Sequence, residues 1–297
     1  MDLKNDQIGG IERRGDLDYA EFVECFLKAH RPVIIENALR EWRAVGRWTP
    51  ECFAQVYGEV EVVVEGRRTK LRELVRLALE SRKERPAPYL RNFPVGDISK
   101  DLLQDIFPLP GYLSPNWLET HFYPAKMQKI LGRAVIPDIF IAGAGASFPF
   151  LHYDLINSHA FLSQIYGDKH YVLYSPDQTK WLYQCAEVPN RSRVSDPMEP
   201  DLETFPLVEA AHPIRGMLRA GEMLFIPAGW WHAASALSFS ITVSVSVANS
   251  SNWIGLIKEQ CAAVLRSSNP LRRLAVAPLA VYLTCIGLYR SLVPSRV

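Results

Sequence analysis

The 297-residue sequence contains no Cys-x-x-Cys pair, and its five cysteines, Cys25, Cys52, Cys185, Cys261 and Cys285, are odd in number and widely scattered. That spacing argues against a disulfide framework or a zinc knuckle and fits a reducing compartment. Charge of one sign is lacking too: 33 basic residues stand against 32 acidic ones, a formal net charge of +1. No global field draws the chain to DNA, RNA or an acidic surface, so no nucleic-acid partner is expected. The opening residues, Met1-Asp2-Leu3-Lys4-Asn5-Asp6, have neither an apolar core nor a small-residue cleavage site. Export is not expected, and the expected location is cytoplasmic. Internal repeats and low-complexity tracts are absent. What the chain does have is 48% hydrophobic residues, enough for one main domain of roughly 200–250 residues with an appendage.

Tyr19, Phe22, Val23, Phe26 and Leu27 recur at helical spacing behind Asp16 and Asp18, and Leu71, Leu74, Val75, Ala78 and Leu79 form a second stripe. Val33–Ile35 and Val60–Val64 read as strands. Beyond about Tyr89 strand signals dominate: Ile139–Ile141, Ala160–Ile165, Tyr171–Tyr174, Met223–Ile226 and Ile241–Val247. A mostly antiparallel β core with flanking helices follows. Gly167-Asp168 suits a tight hairpin turn between two of these strands. Gln184 to His212, rich in Pro, Asn, Arg, Ser and Asp, reads as a long surface excursion.

The chemistry concentrates in His152-Tyr153-Asp154 and in Phe225-Ile226-Pro227-Ala228-Gly229-Trp230-Trp231-His232. On extended backbone, positions i and i+2 project to one side, so His152 and Asp154 stand together. With His232 on an adjacent strand, two imidazoles and one carboxylate face a metal and leave its other positions open, as in non-haem Fe(II) oxygenases. A single buried histidine usually just satisfies its hydrogen bonds; the strand periodicity, the Pro-Ala-Gly-Trp-Trp-His turn and Lys169 shift the balance. His159 and His170 lack a carboxylate at i+2 and read as structural or surface residues; His30, His121 and His212 have no ligand spacing. Trp230 and Trp231 point to opposite sides, one packing under the barrel and the other facing its mouth, with core packing the default for both.

These stretches, with Arg31-Pro32-Val33-Ile34-Ile35, Trp42, Trp48, Gln164-Ile165-Tyr166-Gly167-Asp168-Lys169 and Ser175-Pro176-Asp177-Gln178, resemble the JmjC-type, cupin-like 2-oxoglutarate oxygenases. Within that group the sequence is similar to the asparaginyl hydroxylase of hypoxia-inducible factor and its bacterial relatives, over about Pro32 to Asn252. The resemblance implies a double-stranded β-helix, a jelly-roll or cupin-like barrel, with C-terminal helices. It implies Fe(II) held by His152, Asp154 and His232, 2-oxoglutarate as cosubstrate, and O2. Lys169 matches the lysine for the distal carboxylate of 2-oxoglutarate, and Tyr89 in Pro88-Tyr89-Leu90-Arg91 matches a tyrosine bonding the same group. Thr242, Ser244 and Ser246 share one strand face, which in the family register lines the barrel; Ser246 falls where the relative has an asparagine. The pattern departs at Pro149, where the relative has threonine, and in a longer segment after Asp154. There Asn157 either faces the cosubstrate or acceptor or serves a turn.

The expected activity is hydroxylation of an acceptor carbon, with succinate and CO2 as co-products and a protein side chain as acceptor. Two alternatives stand beside it: hydroxylation of Kdo, a lipid-linked sugar acid of the lipopolysaccharide inner core, with Arg91, Arg191 or Arg193 as carboxylate or phosphate partners, and a non-catalytic cupin-like binding module. The domains expected are an oxygenase domain over 1–252 and a helical segment over 253–297. In the latter Trp253, Leu256, Ile257, Cys261, Val264 and Leu265 form an amphipathic stripe, Asn269-Pro270 breaks it, Arg272-Arg273 follows, and Leu274 to Tyr289 runs 16 residues without charge. A bilayer span needs about 20 apolar residues. Three readings stay open: a buried or homodimerising helical pair, an anchor on the inner face of the cytoplasmic membrane, and a span.

Overall fold

A seven-stranded sheet carries the molecule in the order β1 (Arg13–Arg14), β2 (Val33–Ile35), β10 (Met223–Ile226), β7 (His159–Tyr166), β12 (Ser240–Val247), β6 (Asp138–Ala142) and β5 (Leu90–Pro94). A three-stranded sheet of β11 (Trp231–Ala236), β8 (Lys169–Tyr174) and β9 (Ile214–Leu218) faces it, and β3 (Glu61–Val64) pairs with β4 (Arg67–Lys70) as a separate ribbon. The computed structural model describes residues 10–118, 123, 127–128 and 132–293; the N-terminal residues 1–9 and His121 lie outside the described residues. All strand pairs are antiparallel except β1 with β2. This is the cupin-like double-stranded β-helix, with helices outside it.

Strand alternation sorts side chains between the core and the barrel interior. Phe161 on β7 and Val243 and Val245 on β12 point outward into the main core, where they meet Phe22, Phe26, Leu74 and Val75. The latter four come from the predicted helical stripes: Tyr19–Phe22, N-capped by Asp18 and extended by the π turn Val23–Leu27, and α1 (Leu71–Leu79). Burying each such large side chain contributes about 1.5–3 kcal/mol. The other face, with Leu162, Thr242, Ser244 and Ser246, lines the interior.

Gly167 has φ +66°, the left-handed conformation that glycine tolerates, and a Cβ there would meet the Phe239 carbonyl oxygen at 2.1 Å. The hairpin expectation is corrected: β7 pairs with β10 and β12, whereas β8 pairs with β11 and β9. Gly167-Asp168 is the corner where the chain passes from one sheet to the other. Turn chemistry is local and legible, whereas the strand's partner is set by the opposite sheet.

The C-terminal segment packs as α2 (Trp253–Leu265) and α3 (Val276–Leu292). Trp253 Nε1 donates to the Leu283 carbonyl at 2.9 Å, and Gly287 permits this close approach because a Cβ there would lie 2.5 Å from the indole. Trp253, Leu256, Leu283 and Ile286 form one buried cluster with Trp117, Ile156 and Ala248. The tail therefore shares its core with the loop that follows Asp154.

Candidate metal centre

His152 lies on an extended segment bridged antiparallel to His232 on β11, with His152 N–H donating to the His232 carbonyl at 3.1 Å and His232 N–H donating back at 2.7 Å. On its other side the same segment is zipped to the surface excursion: Tyr153 N–H donates to Asn190 O at 3.2 Å and Ser192 N–H to Leu151 O at 2.8 Å. Asp154, with φ −67° and ψ 141°, continues the extended path and brings its carboxylate to the same side as His152. His152 Nε2 and His232 Nε2 each stand 3.9 Å from Asp154 Oδ1, and the three ligand atoms lie within 4.8 Å of one another.

Both histidines present the correct ring nitrogen. His152 Nδ1 lies 3.3 Å from the Phe150 carbonyl and His232 Nδ1 lies 3.0 Å from the Trp230 carbonyl. A carbonyl only accepts, so each Nδ1 carries the proton and each Nε2 lone pair faces the cluster. Burial, reinforced by the neighbouring His232, holds His152 well below the usual imidazole range and thus neutral; burial raises the Asp154 carboxyl, with His232 opposing. The donor set fits a divalent metal of the iron type with open positions.

The three ligands open onto a cavity of about 460 Å³. At its inner end Lys169, 2% exposed, donates from Nζ to Tyr89 Oη at 2.9 Å and lies over the Tyr89 and Phe140 rings. No carboxylate among the described residues pairs with it, and burial pulls its ammonium down to about 7. A buried cation without a counter-charge is expensive, and a dicarboxylate reaching it from the metal would supply the missing charge. The residues fit 2-oxoglutarate on that ground. Thr242 donates to Gln164 Oε1 at 2.8 Å, and Gln164 in turn binds the Tyr166 and Gly167 carbonyls, so Thr242 lines the cavity from a fixed position. Ser246 lines it as well.

Asn157 is placed elsewhere. It has φ +50°, its Nδ2 donates to Asn252 O at 3.2 Å and its carbonyl accepts from Asn252 Nδ2 at 2.8 Å. Its side chain lies against Gly255, where a Cβ would meet Asn157 Nδ2 at 1.9 Å. The turn reading of Asn157 is the one the structure favours. Neither tryptophan lines the cavity, so the mouth-facing role is corrected and both pack in the core: Trp231 packs on Tyr153 and donates to Thr179 Oγ1, while Trp230 donates to the His30 carbonyl. Trp231 on β11 and Trp230 just before it each turn into a packed cluster away from the mouth. His159 is structural as read, accepting from Ala228 N–H at Nδ1 and bonding Ser251 at 2.9 Å.

Sequence reasoning missed two parts of the site and left a further one, Arg191, undecided among three arginines. Phe148 and Phe150 line the cavity with His152 and Asp154, and the Phe148 ring stacks on His152 at 4.2 Å; the two-residue spacing 148, 150, 152, 154 was the available signal. Arg191, named only as one of three arginines, is the one that lines the mouth, 4.1 Å over the Phe150 ring, and among the described residues it has no acidic partner. The other missed part is Glu259 on α2, whose carboxyl is raised by burial while the nearby Ile156 and Asn157 N–H groups oppose that shift. No local signal ties residue 259 to residue 156.

Fold and site are those of a cupin-like domain that carries a His-Asp-His donor set suited to a divalent metal of the iron type. The chain belongs to the family described as "Cupin-like domain", whose model matches residues 19–249. It is similar to "Arginine-specific demethylase JMJ22" of Arabidopsis thaliana, 27% identical over 263 residues, covering 84% of this chain and 48% of the relative. It is also similar to "2-oxoglutarate and iron-dependent oxygenase JMJD4" of Homo sapiens, 27% identical over 292 residues, 86% of this chain and 66% of the relative. A shorter match, 37% identical over 105 residues, is to "tRNA wybutosine-synthesizing protein 5" of Gallus gallus, covering 35% of this chain and 31% of the relative. The chain thus spans about half the length of the Arabidopsis demethylase, and the relatives' names point to different acceptors.

Proposed function

We propose that this chain hydroxylates a carbon of an acceptor at the His152, Asp154 and His232 centre, and that the acceptor is a protein side chain. The observation that carries the reading is the one cavity shared by a three-ligand cluster and the buried, unneutralised Lys169. When bound, Fe(II) with 2-oxoglutarate supplies activation of O2, leaving succinate, CO2 and a hydroxylated acceptor. The chain's own residues hold and shield. The Phe150 and Trp230 carbonyls fix the imidazole tautomers, Lys169 and Tyr89 anchor the distal carboxylate of the cosubstrate, and Phe148 and Phe150 keep water from the open side of the centre. Asn190 and Arg191, on the excursion zipped to the ligand segment, form the edge against which an acceptor lies.

Arg191 also favours a second reading. A guanidinium at the mouth with no acidic partner among the described residues suits an acceptor bearing a carboxylate or phosphate, as a lipid-linked sugar acid does. An intact ligand set argues against a binding module without turnover.

The experiment measures succinate formed from 2-oxoglutarate with Fe(II) by the wild type and by His152→Ala/Asp154→Ala. It is followed by mass spectrometry of protein, small-molecule and lipid fractions incubated with active enzyme. Equal turnover by the two proteins would remove the mechanism. A gain of one oxygen confined to the lipid fraction would replace the protein acceptor with the second reading.

A further inference from the structure

The helix α3 is packed on one side only. Leu283, Ile286 and Gly287 face Trp253, whereas Val281 and Leu288 on the opposite side are 63% and 60% exposed, and Leu274, seven residues before Val281 in the turn that leads into the helix, is 75% exposed. Seven residues are nearly two helical turns, so the three form one stripe, and exposed Leu271 and Leu292 extend it at both ends. A contiguous apolar surface of this length needs something to cover it.

Charge decides what. All 32 acidic residues of the chain lie between residues 1 and 259, while residues 260–297 contain five arginines and no aspartate or glutamate. Arg266, Arg272 and Arg273 are exposed, the latter two between Leu271 and Leu274 of the stripe. A second copy docking through the same face would bring like charges together, because a two-fold interface pairs each patch with itself. An anionic lipid surface complements it, accepting the leucines among the acyl chains and the guanidinium groups at the phosphates.

We propose that α3, with Arg272 and Arg273, docks the protein on the surface of an anionic phospholipid bilayer. The helix lies in the surface and does not span it. Pro270–Leu292 is long and apolar enough to cross, yet the face holding Leu283, Ile286 and Gly287 is committed to Trp253 and its hydrogen bond, and a span would strip that face from the core. Docking goes beyond the oxygenase reading and does not depend on it. It does place the cavity usefully: α3 packs on α2, and α2 packs on the 155–157 turn, whose Leu155 is exposed at the cavity edge. A surface bound through α3 is therefore held within one helix layer of the mouth.

The test is co-sedimentation of the full-length protein with vesicles of phosphatidylcholine alone and of equimolar phosphatidylcholine and phosphatidylglycerol, at low and high salt. The expected result is binding to the anionic vesicles only, weakened by salt. Arg272→Gln/Arg273→Gln is expected to lower the partition coefficient about thirty-fold, from about 1 kcal/mol per arginine near the surface. Val281→Ser/Leu288→Ser is expected to weaken it as well. All four positions are solvent-exposed, and unchanged Mn(II) binding by both variants confirms the fold. Indifference of the wild type to anionic vesicles at low salt overturns the proposal. So does a dimer, seen by analytical ultracentrifugation, that Val281→Ser/Leu288→Ser dissociates while the wild type ignores both vesicles; that result assigns the stripe to a second copy.

Discussion

Among the described residues Lys169 is a charge buried without a counter-charge, and its cost is measurable. Burial pulls its ammonium down to about 7 from an ordinary 10.5. Between those values the unfolded chain keeps the proton that the folded chain has released. Stability therefore rises with pH across that window, by up to about 1.4 kcal/mol per pH unit, and the penalty is present in full below pH 7. Lys169→Met is expected to flatten this rise in urea unfolding series; an unchanged slope would show that the lysine is not the group responsible. On the proposed function, the same variant would leave the distal carboxylate of 2-oxoglutarate without its charged donor. A charge-assisted hydrogen bond contributes about 1.5–3 kcal/mol, so KM for 2-oxoglutarate should rise about ten- to hundred-fold while Mn(II) affinity holds. The lysine was visible in the sequence through family resemblance alone. Its burial, its bond to Tyr89 and its lack of an acidic partner depend on neighbours brought from 80 residues away.

At the scale of elements, the turn after Asp154 shows how ligand geometry is maintained. Ile156 and Asn157 both have positive φ, an uncommon state for a β-branched residue, and α2 packs on them through Asn252 and the bare Cα of Gly255. Gly255→Ala forces a methyl against the Asn157 amide and should cost about 1–3 kcal/mol through overpacking. Because the strain falls two residues from a ligand, Mn(II) affinity measured by calorimetry should fall with stability. A lowered thermal midpoint with unaltered Mn(II) affinity would mean that the turn does not position Asp154. The helices and most strands were legible from periodicity, since Phe22, Phe26, Leu74 and Val75 are buried along the stripes their spacing drew. The Gly167-Asp168 corner was half legible: its positive φ follows from glycine, but its strands go to different sheets because each finds its partner elsewhere in the barrel.

For the whole molecule, the C-terminal helices are structural neighbours of the metal centre. Truncation after Asn252 removes Trp253, Leu256, Leu283 and Ile286 and uncovers Trp117, Ile156 and Ala248. At about 1.5–3 kcal/mol per large side chain, the loss is a substantial share of the 5–15 kcal/mol that usually separates folded from unfolded domains. The truncated protein should melt earlier and bind Mn(II) more weakly; full Mn(II) affinity after truncation would show that the 155–157 turn stands without the tail. The sequence by itself singled out the candidate ligand set, because the donor types and the two-residue period of extended backbone are local properties that put His152 and Asp154 on one side. It also determined the glycine at the Gly167 corner and the basic, acid-free tail. Only the tertiary structure decided that Arg191 rather than Arg193 lines the mouth, that Asn157 faces α2, and that α2 packs on the 155–157 turn. Those contacts join residues far apart in the chain, and long-range packing selects them among many pairings that local preferences leave equally open.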